Sequence, residues 1–206
     1  MRKFTQNLLF TLHVLCATNG SCQLQQYNEQ RCNIDKKLML SLGSWASANI
    51  IGSSIGWATT GNKEHKYFHQ MNVFWNAINI GLAIPGYIKA RNCKSQLSSF
   101  KSLEEQRIIE GVHLVNAGLD LAYISSGILL RNKQPKNSKE EKQFRGYGNS
   151  IIIQGGFLLV YDWIGYMMHR RHAKKQLNPL LQKIEPSSSG IGCLLYTSDA
   201  ADEGSS

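Results

Sequence analysis

The 206-residue chain has little charge, little proline and few cysteines, and each shortage excludes a class of protein. Only 18% of the residues are charged, which excludes a disordered polyelectrolyte. Four prolines exclude a proline-rich linker protein, and five cysteines are too few for a disulfide scaffold of this length. No GxSxG, P-loop, HExxH or CxxC motif is present, so the sequence favours a protein that is not an enzyme.

We expect a segment at each end of the chain to lie outside the fold. A short basic start precedes an apolar run over 8–17, a pattern typical of secretion, so we predict a signal peptide over 1–22. At the other end, 193–203 reads CLLYTSDAADE and resembles a translated sequencing adapter, so we interpret 193–206 as an artefact. That segment holds three acids and no base, and leaving it out raises the formal net charge from +9 to +12.

Between the ends lie four apolar segments of roughly 20 residues each, the length of a membrane-spanning helix. They cover 38–60, 68–88, 108–130 and 148–169. None has Lys or Arg in its interior, because the connecting segments hold nearly all of the charge. We therefore predict an all-α fold, a four-helix transmembrane bundle with a polar inner seam over 38–169. A polar tail over 23–37 precedes this bundle and a basic tail over 170–192 follows it.

A soluble four-helix bundle is the main alternative architecture. Soluble helices carry a charged face, whereas the segment 148–169 has Asp162 as its sole charged residue. Basic residues beside the apolar segments fit lipid headgroups, so we predict the lipid bilayer as partner and a bacterial inner membrane as location. No basic and aromatic interleave or recognised motif is present, so nucleic acid is not expected as a partner. A homo-oligomer stays open.

Polar residues inside the apolar segments follow helical spacing and predict one polar seam. The second and third segments each carry four polar residues separated by three, four and three positions, which places them on one helix face. The fourth segment adds an amide and a carboxyl group on one broad face. The candidate ligand-binding residues are His69, Asn72, Asn76, Asn79, His113, Asn116, Asp120, Tyr123, Gln154 and Asp162.

Two interpretations of this seam stay open. Polar and ionisable residues inside a membrane are costly, and they often mark an ion site, a proton path or a ligand pocket. Alternatively they hold the helices together, because polar bonds between membrane helices also fix packing and register. In the first case the protein binds an ion or a small ligand, and in the second it is a structural or interaction subunit.

A third hypothesis is a metal-dependent or haem-dependent redox protein. His65 and His69 are four residues apart, and His169 and His172 are three apart, spacings that can chelate a metal from one helix face. Haem held by His69 together with His113 or His169 is a further arrangement. No third metal ligand is specified, so no cofactor is predicted.

Two cysteines lie in the polar segments that flank the first and third apolar segments. Cys32 and Cys93 are on the same side of the membrane in any four-span topology. If that side is oxidising, a disulfide between them is expected.

The apolar segments resemble a family of small bacterial membrane proteins of unknown function. The segments YFHQMNVFWNAINIGLAIPGY (67–87), VHLVNAGLDLAYISSGILL (112–130) and SIIIQGGFLLVYDWIGYMMH (150–169) carry the resemblance. LMLSLGSWASANIIGSSIGW (38–57) corresponds to the first helix of that family. The resemblance implies a leader, four helices and a bacterial membrane location, and it implies no activity.

Overall fold

A computed structural model describes residues 2–182 of the chain, with side chains from residue 20 onward. Every long element in this part is an α-helix, which confirms the all-α prediction. The helices are α1 (Arg2–Thr59), α2 (Lys63–Arg91), α3 (Ser99–Arg131) and α4 (Ser138–His172), and a π-helical turn (Ala173–Leu177) continues α4. The adapter-like segment 193–206 lies outside the described residues. The signal peptide stays a prediction.

Side-chain caps explain where α2, α3 and α4 begin. Asn62 accepts hydrogen bonds from the backbone N–H groups of Glu64 and His65, which the first turn of a helix leaves without partners. Ser98 and Asn137 cap α3 and α4 in the same way. The cap at Ser98 starts α3 nine residues before the apolar segment that predicted it.

The helices form an antiparallel bundle in which α2 packs between α1 and α4, and α3 packs on α4. Glycines let α4 approach its neighbours closely. A Cβ atom added to Gly148 would lie 2.6 Å from the carbonyl oxygen of Gly127 on α3. We call the end of the bundle with the α1–α2 and α3–α4 connections the turn end.

The middle of the bundle exposes large apolar side chains and buries many polar ones, beside an apolar cluster of Leu38, Leu42, Ala83 and Tyr161. We call residues 38–59, 68–88, 108–131 and 148–169 the bundle body. Its buried residues include Ser53, Asn72, Asn76, Asn79, His113, Asp120, Ser150, Gln154, Asp162 and His169. Its exposed residues include Ile51, Ile55, Phe74, Leu82, Val115, Leu129, Val160 and Trp163. Soluble proteins seldom bury so many polar groups while exposing so much contiguous apolar surface.

The opposite end of the bundle has a charged surface and encloses both apolar and polar side chains. Residues 20–37, 92–107 and 170–182, which we call the collar, enclose an apolar cluster. That cluster consists of Leu24, Tyr27, Ala173, Leu177 and Leu180. The exposed positions of the collar include Glu29, Lys37, Arg170, Arg171, Lys174 and Lys175. The described parts of the two polar segments predicted as tails are thus helical and packed together.

Polar side chains fasten the collar helices to each other. The Tyr27 hydroxyl donates a 2.6 Å hydrogen bond to Oε1 of Gln106, and burial raises the pKa of Tyr27. Arg31 is 2% exposed, and its guanidinium lies 3.4 Å from the carboxylate of Glu105 on α3. A buried guanidinium needs such a partner, because an unpaired charge is expensive to remove from water.

Two helical stretches of the described chain are long and apolar enough to cross a membrane. They are Ser99–Arg131 and Ser138–Gln182. In the described residues α1 and α2 do not reach the same hydropathy, and α2 carries Asn72, Asn76 and Asn79 within its span-length segment.

Candidate functional site

The buried polar residues of the bundle body separate into two groups. The first, which we call the amide network, joins α1, α2 and α4 toward the turn end. The Asn72 amide nitrogen donates to Oδ1 of Asn49 at 3.0 Å and to the Ser53 hydroxyl at 2.6 Å. The Gln154 amide nitrogen donates to the carbonyl oxygens of Asn49 and Asn72. Trp45 donates its indole N–H to Oε1 of Gln154 at 3.1 Å.

The other amides extend this network along α2. The Asn76 amide nitrogen donates to the backbone carbonyl of Asn72 at 2.8 Å, and that of Asn79 donates to Oδ1 of Asn76 at 3.4 Å. None of these amide atoms is among the buried atoms that lack a partner in the described residues. The network is therefore satisfied internally, and it contains no group that titrates near neutral pH.

The second group, which we call the acid–histidine row, lies between α1, α3 and α4 and starts beside the collar. It consists of Asp35, His169, His113, Asp162 and Asp120. Nδ1 of His113 is 2.7 Å from Oδ1 of Asp162, and both side chains are less than a tenth exposed. The Asn116 amide also donates to that oxygen, at 3.5 Å.

The carboxyl groups of Asp120 and Asp162 are both buried and lie near each other. Two carboxylates can only accept hydrogen bonds, so neither can satisfy the other unless a proton is present. Oδ2 of Asp120 is buried and has no partner among the described residues. The inner end of the row therefore holds a carboxyl pair with an unused hydrogen-bonding site.

His169 links this pair to the collar. Its ring is fully buried, and Nε2 lies 3.0 Å from Oδ1 of Asp35, close enough for an ion pair but not aligned as a hydrogen bond. The His169 ring stacks on the His113 ring with 5.8 Å between centroids. Asp35 has a quarter of its side chain exposed, so the row has one solvent-facing end.

Gly165 makes room for the His113 ring on α4. A Cβ atom at Gly165 would overlap that ring, so only glycine fits there without displacing it. Gly156, on the same helix, has open space around the equivalent position. The position of His113 therefore depends on the sequence of α4 as well as on its own helix.

The structure brings together only some of the residues selected by spacing. Tyr123 is 37% exposed and packs edge-on against Trp75, so it lies outside both groups. His69 packs against Gly56 at the turn end, away from the row. The two groups also contain residues that spacing did not predict as ligand-binding: Asp35, Trp45, Asn49, Ser53, Ser150 and His169. Trp45, Asn49 and Ser53 lie in the first apolar segment. Their polar groups inside a span-length stretch could have identified them as candidates.

The two histidine pairs lie at opposite ends of the bundle. His69 lies beside Ile152 of α4, and His113 lies beside Gly165 of the same helix. These two positions are 13 residues apart, which is about 20 Å along a helix. The two histidines are therefore too distant to ligate one iron. The ring of His172 stacks on Tyr27, and its Nε2 lies 3.1 Å from the Tyr27 carbonyl oxygen. No cluster of three or more His, Cys, Asp or Glu residues in the described chain could hold a metal.

Cys32 of α1 and Cys93 of the α2–α3 connection meet in the collar. Their sulfur atoms are at bonding distance and their Cα atoms are 6.0 Å apart, within the range that a disulfide spans. The structure thus permits the pairing that the sequence predicts.

The bundle described above defines an all-α protein with two buried polar groups. The chain belongs to DUF6992, a family of unknown function whose model matches residues 41–163. The matched range holds the amide network and the His113, Asp120 and Asp162 side chains. Comparison with curated proteins and with solved structures gave no match.

Proposed function

We propose that this chain is an integral membrane protein whose acid–histidine row binds protons within the bilayer. The buried contact between His113 and Asp162 carries the proposal. It lies between α3 and α4, the two helices with the length and hydropathy of membrane spans. Ionisable residues inside a membrane are rare and expensive, so a function is the default hypothesis for them.

The exposed apolar side chains of the bundle body support a lipid bilayer as its surroundings. Side chains such as Phe74, Val115 and Leu129 are more than half exposed, which water disfavours and hydrocarbon tolerates. The burial of the amides also fits a lipid environment, because an amide that faced hydrocarbon would lack a hydrogen-bond partner. The charged surface of the collar fits the adjoining aqueous and headgroup region.

Protons suit the row better than a metal ion or an organic ligand. Each of its members is a carboxyl or imidazole group, and both kinds of group can bind and release a proton. Asp35 provides the exposed end, and the Asp120–Asp162 pair provides the buried end.

The row supports proton binding from one side rather than conduction across the bundle. Beyond Asp120, toward the turn end, lies the amide network, which has no titratable member and separates the row from His69. His169 and His113 stack without a hydrogen bond between them. A proton therefore moves from one ring to the other only after a ring reorients or a water enters.

Infrared spectroscopy of the full chain in liposomes tests this proposal. We expect a pH-dependent band of protonated carboxyl groups that Asp120→Asn and Asp162→Asn both remove. Glu141→Gln, a change in a half-buried carboxylate of the α3–α4 region, should leave the band in place. Absence of the band in the wild type, or its persistence in both Asn variants, would contradict proton binding by the row.

A structural subunit is the second candidate, and the closed amide network favours it. If the whole seam serves packing, Asp120→Asn and Asp162→Asn alter stability alone. Extraction with alkaline carbonate tests the membrane location separately, because an integral protein stays in the membrane pellet.

A further inference from the structure

A groove at the turn end is not used by the proposed proton site. A cavity of about 450 Å³ opens between α2, α3 and α4. Its apolar wall consists of Phe68, Ile152 and Ile153, while Arg131 lies at its rim. His69 also lines it, and the Nδ1 atom of this histidine is buried without a partner in the described residues.

A second cavity, of about 340 Å³, shares Arg131 with the first. Its lining includes Lys133 and Arg145, and it is predominantly polar. The two cavities thus adjoin at Arg131, and together they offer an apolar part and a basic part. Arg131 is the last residue of α3, so the basic part lies where a membrane helix meets the headgroups.

The basic part retains positive charge after its ion pairs are counted. Arg145 lies 3.5 Å from Glu64 and 3.8 Å from Glu141, so its charge is matched. Arg131 and Lys133 form no ion pair with any acid among the described residues. Two cationic side chains are therefore available to an anion at this position.

We propose that this site binds one anionic phospholipid. The phosphate contacts Arg131 and Lys133, and the glycerol and upper acyl chain lie against Phe68, Ile152 and Ile153. Basic pockets between membrane helices commonly hold such headgroups. A free phosphate would use only the basic part, whereas a phospholipid uses both parts.

Lipid binding to the purified full-length protein in detergent tests this site. The probes are phosphatidylglycerol, phosphatidylcholine and inorganic phosphate, each followed by native mass spectrometry. We expect retention of phosphatidylglycerol over phosphatidylcholine, and no retention of inorganic phosphate. Removing both cationic side chains in Arg131→Gln/Lys133→Gln should weaken retention about fivefold for each charge.

Lys139→Gln/Lys142→Gln is the matched control, because it removes two exposed charges of the same region that line neither cavity. Equal loss in both double variants, or equal retention of the two lipids by the wild type, would overturn the proposal. Retention of phosphate alone would show a simple anion site and overturn it too. The inference rests on the proposed membrane location and not on proton binding. Carbonate extraction and the carboxyl band therefore report separately on those two claims.

Discussion

The collar and the bundle body are made by the same helices, yet their surfaces are opposite in character. The collar presents charged side chains such as Lys37 and Arg171, whereas the body presents apolar ones such as Phe74 and Leu129. The proposed membrane location accounts for this difference, because water would surround the collar and hydrocarbon the body. Different changes should therefore destabilise the two parts, and the proposed site should respond mainly to changes in the body.

Removal of the predicted disulfide should have the largest effect on the collar. Cys32→Ser/Cys93→Ser opens a loop with a sequence separation of 61, which is expected to lower the free energy of unfolding by about 3 kcal/mol. Denaturant unfolding in micelles measures this. Cys22→Ser is the control, since Cys22 is exposed and free. Two titratable thiols at positions 32 and 93 in the oxidised preparation would contradict the pairing.

Loss of a central amide should have the next largest effect, and it should act on the body. Gln154→Leu leaves the Trp45 indole N–H without its acceptor and removes the donor to Asn49 and Asn72. Several modest bonds lost together amount to about 2 kcal/mol of unfolding free energy. Gln96→Leu, an exposed change in the collar, should be nearly neutral. The carboxyl infrared band should remain in both variants. Its loss in Gln154→Leu would show that the acid–histidine row depends on the amide network.

Displacement of the His113 ring should alter the proposed site while the bundle body stays folded. Gly165→Ala pushes the His113 ring away from α4, with a cost of about 1 kcal/mol after the gain in helix propensity. We expect the carboxyl band to shift, because Asp162 loses its 2.7 Å contact with His113. Gly156→Ala, with open space around its Cβ position, serves as control. Identical spectra for the two variants would remove His113 from the proposed row.

Acidification should have the smallest effect, and it should fall on the collar. Burial lowers the pKa of His172 below its ordinary value of 6.5, and His169 and Arg31 add to this while the Tyr27 carbonyl opposes it. The folded collar therefore favours the neutral ring, so stability present above pH 6.5 declines as the pH falls below it. Unfolding at pH 7.5 and pH 5.5 measures the decline, and His172→Gln should reduce it. An unchanged decline in that variant would assign it to other groups.

Sequence patterns predicted the number and the approximate positions of the helices because apolar segments of span length are long, local signals. They did not predict that residues 23–37 continue α1. Arg31, Lys36 and Lys37 made this segment resemble a polar tail, and the ion pair that buries Arg31 involves a residue 74 positions away.

The same limit applies to the two polar groups. Three-four-three spacing placed Asn72 and Asp120 on the correct faces of their helices, but spacing within a helix does not identify the facing helix. Asn72 meets Asn49 and Gln154, while Asp120 meets Asp162, so one predicted seam became two groups. Packing order, which places α2 between α1 and α4, made that division.

The collar also sets the order in which the molecule can be completed. Tyr27 bonds His172 across 145 positions of the chain, and the apolar cluster joins Leu24 to Leu180. A ribosome must therefore finish the last helix before the first one acquires all of its partners there. The collar part of α1 is synthesised early, but its contacts with the last helix form only after the whole bundle has been made. Closure of the collar should therefore be the final folding event, and it should require that all four helices are in place.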